Sequence, residues 1–308
     1  MVEYDVVVIG GGVAGLAAAT MLGRSRRRVV VVDAGEPRNA PAEHLHGFLS
    51  RDGAAPTELL AAARREVRSY GGELTKGRAE GVDRLEGDGF AVRLDGGGRL
   101  TTRAVLVATG LRDELPEIPG LAERWGREVL HCPYCHGYEV RDRPLGVVGG
   151  ENRPFTLHQA QLIRQWSGDV VFFPNRIELA EGERRRLDAR GVRVVEGEVA
   201  RVVAGAGGGL GVELAGGRLV ERAALFVGPR FAPRDGLLAG LGCARGEDGW
   251  VATDRTGRTS VDGVWAAGNV MDSPAQLINA AAQGSAAAVA VNHHLLAADV
   301  EAALVSVG

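Results

Sequence analysis

The 308-residue sequence has three cysteines, few aromatic residues and a single lysine, Lys76. Three cysteines are too few for the disulfide-rich scaffold of a small secreted protein. Acidic residues (39) slightly outnumber basic ones (36), which disfavours a nucleic-acid-binding protein. The net charge of −3 and the 45% hydrophobic content disfavour disorder, and the 46 glycines have no collagen-like period. We expect two globular domains, since a domain commonly holds about 100–200 residues.

The sequence also lacks the pattern of a secretory or membrane segment. The apolar stretch 6–22 contains four glycines, and an arginine cluster follows it instead of preceding it. No run of 18 apolar residues is free of both glycine and charge, so we predict no membrane-spanning segment. These features predict a soluble protein located in the cytoplasm.

The N-terminus carries a glycine-rich loop between a predicted strand and a predicted helix. The β-branched run 4–9 predicts a buried parallel strand, and a GxGxxG pattern of Gly10, Gly12 and Gly15 follows it. These glycines allow a tight turn, close approach of a pyrophosphate and close helix packing, in that order. A second β-branched run ends at Asp33, whose carboxylate can accept hydrogen bonds from a ribose diol. Together with the free N–H groups of the helix N-terminus, this pattern predicts dinucleotide binding.

Two of the cysteines, Cys132 and Cys135, lie in the segment HCPYCHGYE. Their spacing allows a disulfide, and the CxxC arrangement lowers thiol pKa values. His136 follows directly and could hold a thiolate or shuttle a proton near neutral pH. Half of a zinc site and a pair of merely buried thiols are the alternatives, although a second ligand pair is missing. Cys243 is far away in sequence, and we expect it to be a buried apolar side chain.

Two further segments resemble those of the two-domain flavin disulfide reductases. Residues 106–110 (LVATG) resemble a strand end of these enzymes, and residues 263–270 (GVWAAGNV) resemble their second FAD motif. In that motif an aspartate holds the flavin ribitol, and Asn269 replaces it here. The helix expected from about residues 274–277 would direct its N-terminal amides at the flavin. The resemblance implies FAD as the cofactor.

The order of the motifs resembles that of the low-molecular-weight thioredoxin reductases over nearly the whole chain. This resemblance implies an α/β fold of two Rossmann-like, three-layer ββα domains, and a homodimer. The FAD domain would be discontinuous, with residues 1–114 and 245–308, and residues 115–244 would form the inserted NAD(P)-like domain with the cysteine pair. The residues expected to contact FAD are Gly10, Gly12, Gly15, Asp33, Arg38, Asn39, His46, Thr109, Gly110, Gly268, Asn269, Gln276 and Leu277.

Several details resemble a branch of that family, the bacterial and fungal dithiol oxidases that close the disulfides of gliotoxin and holomycin. The segments that carry this resemblance are 33–39, 44–53, 132–139 and the AAGN of 266–269. Thioredoxin reductases usually have an aspartate directly after the second cysteine, and His136 stands at that place.

The second glycine-rich turn, residues 149–154, departs from a working nucleotide loop. Glu151 occupies the place of the second glycine, and Pro154 occupies the last small position. A carboxylate about 4 Å from a phosphate charge costs at most roughly 4 kcal/mol at an effective dielectric of about 20, or about three decades of affinity. Of the arginines that would bind a 2′-phosphate, Arg176 remains, and the triplet 184–186 is typical of an exposed helix face. We therefore do not expect NADPH to be used.

These expectations predict an FAD-dependent dithiol oxidase that forms a disulfide in a small-molecule dithiol. Electrons would pass from the substrate to the cysteine pair, then to FAD and O₂, with H₂O₂ as product. The resemblance implies that the substrate attacks Cys132 and that Cys135 is the sulfur next to the flavin. An NADPH-dependent thioredoxin-disulfide reductase and a flavin-bound redox sensor are the alternative functions. His44 is a candidate pocket residue, and Tyr134 and Tyr138 either flank a flat or apolar substrate or simply pack.

Overall fold

The computed structural model describes residues 2–87 and 89–307, and the chain divides into two compact units. Unit 1 contains the chain up to Ala40, then Gly47–Arg112, and then the chain from Pro233 onward. Unit 2 contains Pro41–His46 and Asp113–Ala232. Unit 1 is therefore discontinuous, and unit 2 is inserted into it.

Strands and helices alternate along much of the chain. The strands are β1 (Tyr4–Ile9), β2 (Val29–Asp33), β3 (Glu73–Lys76), β4 (Ala79–Arg84), β5 (Phe90–Leu94), β6 (Arg99–Val107), β7 (Leu111–Glu114), β8 (Val129–Leu130), β9 (Leu145–Val148), β10 (Val170–Phe173), β11 (Val192–Val194), β12 (Val199–Ala204), β13 (Leu210–Leu214), β14 (Leu219–Arg222), β15 (Ala224–Val227), β16 (Arg230–Pro233) and β17 (Val264–Ala266). The helices are α1 (Val13–Arg24), α2 (Pro56–Ser69), α3 (Pro133–His136), α4 (Arg153–Leu162), α5 (Glu181–Ala189), α6 (Gly236–Gly240) and α7 (Leu277–Val307).

Unit 1 is built on a sheet with the strand order β3-β2-β1-β6-β5-β4, and β17 pairs with β6. Strands β1, β2, β3, β6 and β17 pair in parallel, whereas β5 is antiparallel to both β6 and β4. The central strands are runs of β-branched residues that are buried on both faces, as is usual for a parallel sheet. Val6 and Val8 of β1 pack with α1 and α7, and Val7 packs on the opposite face.

Helix α7 is long and apolar enough to cross a membrane by length and composition alone, which the sequence did not lead us to expect. In the structure, several of these residues pack against α1. Ala287, Val291 and Leu295 are buried in the core of unit 1 with α1. A side chain at Gly284 would overlap the carbonyl oxygen of Ala14, so glycine permits the close approach of the two helices. One face of α7 thus lies in the core of unit 1, whereas other apolar side chains of the helix, among them Leu296, Val300 and Leu304, are exposed.

Unit 2 has three layers. The parallel sheet β11-β10-β9-β15-β8 packs one face on the antiparallel sheet β12-β13-β14, and α4 and α5 cover its other face. The chain from β12 to β13 forms the hairpin that the glycines of residues 205–211 predict. The predicted α/β class with Rossmann-like, three-layer ββα domains is confirmed.

The chain returns to unit 1 at residue 233, before the expected boundary at residue 245. The reason is the packing of α6. Leu238 of α6 and Cys243 are buried in the cluster that covers one face of the unit 1 sheet. Burial also raises the pKa of the Cys243 thiol, as expected for an apolar structural cysteine.

Candidate active site

The N-terminal glycine loop has the shape of an anion-binding turn. Gly10 has a φ of +113°, and a side chain there would overlap the carbonyl oxygen of Ala108. A side chain at Gly15 would overlap the carbonyl oxygen of Gly10, so the close helix-to-strand packing also requires glycine. Gly12 differs, because a Cβ there would meet no atom within 4 Å. The loop therefore leaves open space over the uncapped N-terminus of α1, where a pyrophosphate fits.

Asp33 lies at the end of β2, close to this loop. Its Oδ1 accepts a hydrogen bond from the N–H of Gly35 at 2.9 Å, and its Oδ2 lies 3.0 Å from Nη2 of Arg64 on α2. A side chain at Gly11 would overlap the Asp33 carboxylate. Each carboxylate oxygen can accept a further hydrogen bond, so Asp33 can still bind a ribose diol. No local sequence signal points to Arg64, because it lies 31 residues away.

The hydrogen bonds of the Asn269 side chain explain why asparagine replaces the usual aspartate of the second FAD motif. Its side-chain NH₂ lies 2.9, 3.2 and 2.9 Å from the backbone carbonyl oxygens of Asp272, Ser273 and Ala275. Its Oδ1 lies 3.4 Å from Nη1 of Arg38. A carboxylate at this position would face three carbonyl oxygens without a proton to donate. The loop therefore requires a donor, and Asn269 keeps one acceptor oxygen for a cofactor hydroxyl.

Gln283, which the sequence reasoning missed, holds the same motif on α7. Its Oε1 accepts a hydrogen bond from the N–H of Gly268 at 3.1 Å, and its Nε2 donates to Oδ2 of Asp272 at 2.6 Å. Gln276 directly precedes α7, which begins at Leu277, within the range expected from the sequence. The predicted contacts of Gln276 and Leu277 with FAD stay predictions.

Thr109 and Gly110 form hydrogen bonds with Arg234, which lies where the chain returns to unit 1. The hydroxyl of Thr109 donates to the carbonyl oxygen of Arg234 at 2.6 Å, and the N–H of Arg234 donates to the carbonyl of Gly110 at 2.9 Å. Asn39 is half-buried in a turn after β2. For these residues the structure shows local anchoring, and their contacts with FAD stay predictions.

Cys132 and Cys135 form a disulfide, with Cα atoms 5.2 Å apart. Cys132 directly precedes α3, and the N–H groups of Cys135 and His136 both donate to its carbonyl oxygen at 3.1 Å. Both cysteines are half-buried and bonded to each other, so the pair is not a set of buried thiols. The arrangement is a short helical turn that carries a partly accessible redox pair.

His136 lies among two other titratable groups. Burial lowers the pKa of His136, the Glu139 carboxylate opposes this, and the charge of His46 adds to it. His46 Nε2 lies 3.5 Å from Oε1 of Glu139. The structure thus brings His46, which was expected among the FAD ligands, to the cysteine segment within unit 2. His44 is exposed.

Aromatic side chains surround the cysteine turn. Tyr134 and Tyr138 are 63% and 64% exposed. The Tyr134 ring meets Trp166 edge-on at 5.8 Å, and the Arg141 guanidinium lies 3.7 Å above the Tyr138 ring. His131 is packed between two phenylalanine rings, at 5.4 and 5.1 Å. The two tyrosines are thus largely exposed near the disulfide, each with one packing contact, and their substrate-flanking role stays a prediction.

The second nucleotide loop has lost the features that α1 retains. The side chain of Asn152 caps α4 by accepting a hydrogen bond from the N–H of Phe155 at 3.2 Å. Pro154 lies in the first turn and has no N–H to offer. The Glu151 side chain is 81% exposed and lies 4.0 Å from Nε of Arg230. This helix N-terminus is therefore already satisfied and carries a carboxylate.

A cavity of about 850 Å³ lies beside this loop in unit 2. Five glutamates and three arginines line it, which gives it a net formal charge of −2. The predicted helix face of residues 184–186 is exposed on α5, as expected. The lining arginines are each paired with a carboxylate: Arg176 with Glu198, Arg153 with Glu183, and Arg230 with Glu114.

A sequence model described as pyridine nucleotide-disulphide oxidoreductase matches residues 4–284, which includes both glycine loops and the disulfide. The chain belongs to this family. The crystal structure of HlmI superposes with a TM-score of 0.94 at 56% identity, covering 98% of this chain and 96% of that chain. Thioredoxin reductase tcpT of Claviceps purpurea is 32% identical over 95% of this chain and 94% of its own length. Thioredoxin reductase sirT of Leptosphaeria maculans is 30% identical over 97% and 96%.

Membership of the pyridine nucleotide-disulphide oxidoreductase family makes the chain a flavin-dependent oxidoreductase. The predicted resemblance to low-molecular-weight thioredoxin reductases, and to their gliotoxin- and holomycin-type branch, is confirmed. The fit of the glycine loop, Asp33 and Asn269 to a dinucleotide agrees with this assignment.

Proposed function

We propose that this oxidoreductase is an FAD-dependent dithiol oxidase that forms a disulfide in a small-molecule dithiol, with O₂ as acceptor and H₂O₂ as product. The observation that carries the proposal is the contrast between the two nucleotide loops. At α1, Gly12 leaves the helix N-terminus open. At α4, Asn152 closes it, and Glu151 adds a negative charge.

This contrast has an energetic consequence for electron entry. A phosphate that accepts a hydrogen bond from a backbone N–H gains about 1.5–3 kcal/mol, and the Asn152 cap removes such a donor from α4. Pro154 removes a second donor. The net negative lining of the adjacent cavity repels a polyphosphate, and Arg176 is already held by Glu198. The cysteine pair is then the route by which electrons enter the protein.

The residues of the chain can carry out the thiol chemistry in two steps. A substrate thiolate attacks Sγ of Cys132, the Cys132–Cys135 bond breaks, and Cys135 leaves as a thiolate. The second substrate thiol then attacks the substrate sulfur of this mixed disulfide, so that the substrate disulfide closes and Cys132 leaves. His136 takes the proton of each attacking thiol and returns it to the leaving sulfur. Two electrons and two protons have then passed from the substrate to the cysteine pair.

Gly10, Gly12, Gly15, Asp33 and Asn269 would hold the FAD. Bound FAD supplies the two-electron acceptor that returns the cysteines to the disulfide, and O₂ accepts these electrons in turn. Pre-formed glycine turns and side chains fixed by hydrogen bonds lower the ordering cost of binding.

The test is anaerobic reduction of the purified flavoprotein, followed at the visible flavin band, with NADPH and with dithiothreitol in separate experiments. We expect bleaching by the dithiol alone, and recovery of the band with H₂O₂ release when air is admitted. Cys135→Ser should keep FAD but resist reduction by the dithiol, whereas the control Cys243→Ser should behave as the parent protein.

Each other outcome of this experiment favours another function. Bleaching by NADPH would make the protein a reductase and would show that Glu151 and Asn152 are tolerated. Dithiol turnover no faster than that of free FAD would favour a redox sensor. The cytoplasmic location and the homodimer stay predictions, and light scattering of the holoprotein would test the dimer.

A further inference from the structure

A buried amide of α4 contacts the start of the cysteine turn. Gln159 is 1% exposed, and its Nε2 donates a hydrogen bond to the carbonyl oxygen of His131 at 2.6 Å. His131 directly precedes Cys132, so this carbonyl belongs to the peptide group that joins the two residues. The hydrogen bond therefore ties α4 to the backbone of the first cysteine.

The side chain of His131 is held as well as its backbone. Its ring lies between the rings of Phe155 and Phe231, with centroids 5.4 and 5.1 Å away. Its Nδ1 lies 3.4 Å from the carbonyl oxygen of Val227 at the end of β15. Phe155 belongs to α4, so this helix contacts His131 through both an aromatic ring and the Gln159 amide.

The Gln159 amide is costly at the place where it lies. Its Oε1 is buried and has no hydrogen-bond partner in the part of the chain that the structure describes. Leu157 and Ala160 of the same helix, with Leu130 of β8, belong to a buried apolar cluster. A buried acceptor that loses its hydration without gaining a partner costs free energy. The stability of α4 does not account for this glutamine, whereas the hydrogen bond to His131 gives it a role.

We propose that Gln159 is a positioning residue for Cys132, because its amide fixes the peptide group that carries the cysteine attacked by the substrate thiol. This inference rests on the dithiol oxidase function proposed above. Gln159 acts through the His131 carbonyl and not on the reacting sulfurs themselves.

The thiol chemistry explains why the place of Cys132 matters. The substrate thiolate bonds to Sγ of Cys132 as the bond to Cys135 breaks, and Cys132 later leaves with the electron pair of the mixed disulfide. Both steps require Sγ of Cys132 to be aligned with the other sulfurs. A displacement of about 1 Å can cost roughly a hundredfold in rate. Since the two phenylalanine rings would still hold His131, we expect a loss of about tenfold without the Gln159 hydrogen bond.

Gln159→Met tests this role because methionine has a similar length but no donor. It should slow the opening of the disulfide by dithiothreitol about tenfold. Its Tm should change little, because removal of the unpartnered oxygen offsets the lost hydrogen bond. Gln159→Asn keeps the amide but is one methylene shorter, so it should also slow the opening, and it serves if Gln159→Met does not fold.

Gln161→Met is the matched control on the same helix. The Nε2 of Gln161 donates to the carbonyl oxygen of Leu157 within α4, at 3.3 Å. We expect this variant to open its disulfide at the rate of the parent protein.

The experiment uses the anaerobic holoprotein and two readouts. The rate of disulfide opening is measured by acid quenching, alkylation and mass counting of the free cysteines, together with the visible flavin band. The second readout is the carbonyl ¹³C resonance of His131. Residues 131–132 are the only His-Cys pair in the sequence, so carbonyl-¹³C histidine and ¹⁵N cysteine give one HNCO cross-peak. Loss of the hydrogen bond should move this carbonyl resonance to a lower chemical shift in both Gln159 variants and not in the control.

Slower opening together with a moved His131 resonance, at a Tm close to that of the parent protein, would support the positioning role. A moved resonance with opening at the parent rate would overturn it, as would an unmoved resonance or an equal loss of rate in Gln161→Met. If dithiothreitol opens the cysteines of the parent protein but its flavin stays oxidised, the oxidase function fails. The rate of opening in the Gln159 variants then still decides whether Gln159 positions Cys132.

Discussion

Asn269→Asp, which restores the aspartate usual in the second FAD motif, should destabilise this protein. The Asn269 NH₂ has two hydrogens to share among three carbonyl oxygens at 2.9–3.2 Å. Two hydrogen bonds of about 0.5–1.5 kcal/mol each are lost, and an ionised carboxylate then faces the same carbonyl oxygens. The Arg38 guanidinium, 3.4 Å from Oδ1, offsets at most about 1 kcal/mol of this loss.

The balance is a loss of about 2 kcal/mol in the free energy of unfolding, which lowers Tm by roughly 3 °C for a protein of 308 residues. Asn269→Ala removes the hydrogen bonds without adding a charge. Comparing it with Asn269→Asp therefore separates the loss of the hydrogen bonds from the effect of the introduced carboxylate. Since the carbonyl oxygens would raise the pKa of the introduced aspartate in the folded state, its penalty should diminish as the pH falls towards that pKa.

Differential scanning fluorimetry and the flavin-to-protein absorbance ratio, measured at pH 5 and pH 8, would test this prediction. We expect Asn269→Asp to have a lower Tm than the parent protein at pH 8 and a smaller deficit at pH 5. If Asn269→Asp matched the parent protein in Tm and FAD content at pH 8, the donor role assigned to Asn269 would be refuted.

Three further predictions concern the loops and the aromatic surface. Gly12→Ala should leave the Tm of the FAD-free protein unchanged, because the new Cβ would touch no other atom of the chain. The same Cβ would occupy the space left for the pyrophosphate, so FAD affinity, measured by equilibrium dialysis, should fall at least tenfold. Glu151→Gly should leave the rate of anaerobic flavin reduction by NADPH at background, since Asn152 still caps α4. A rate of flavin reduction by NADPH close to that with the dithiol would show that Glu151 alone blocks the nucleotide site. Tyr134→Ala and Tyr138→Ala should each raise the KM for a dithiol carried on a flat ring severalfold, and should leave the KM for dithiothreitol nearly unchanged. Equal changes of KM for the two substrates would argue against contact between the tyrosine rings and the substrate.

Local patterns were enough to predict the strands and loops that hold the candidate site. The β-branched run 4–9 is β1, and the turn residues of 205–211 form a hairpin tip. The glycine spacing predicted a turn whose positive φ at Gly10 the structure shows. Each of these features is decided by residues within a few positions of one another, so hydrophobic periodicity and turn chemistry suffice.

The features that sequence reasoning missed depend on contacts between distant residues. Arg64 reaches Asp33 across 31 positions, and Gln283 reaches Gly268 across 15. His46 comes to Glu139 because segment 41–46 packs on unit 2. The boundary at residue 233 follows from the burial of Leu238. None of these pairings leaves a periodic signal, and each becomes visible only when the elements are packed.

Under the proposed function, unit 2 would keep a nucleotide-binding fold without its nucleotide because the same unit carries the cysteine pair. Strand β8 pairs with β15 and ends at Leu130, two residues before the disulfide begins at Cys132. The same unit holds segment 41–46 and therefore His46. The cysteine turn thus follows the edge strand β8 of this sheet, whereas the turn at 149–154 follows the central strand β9. If the proposed function is right, a few side chains of that turn, above all Glu151 and Asn152, close the nucleotide route for electrons, while the sheet of unit 2 still positions the cysteine route.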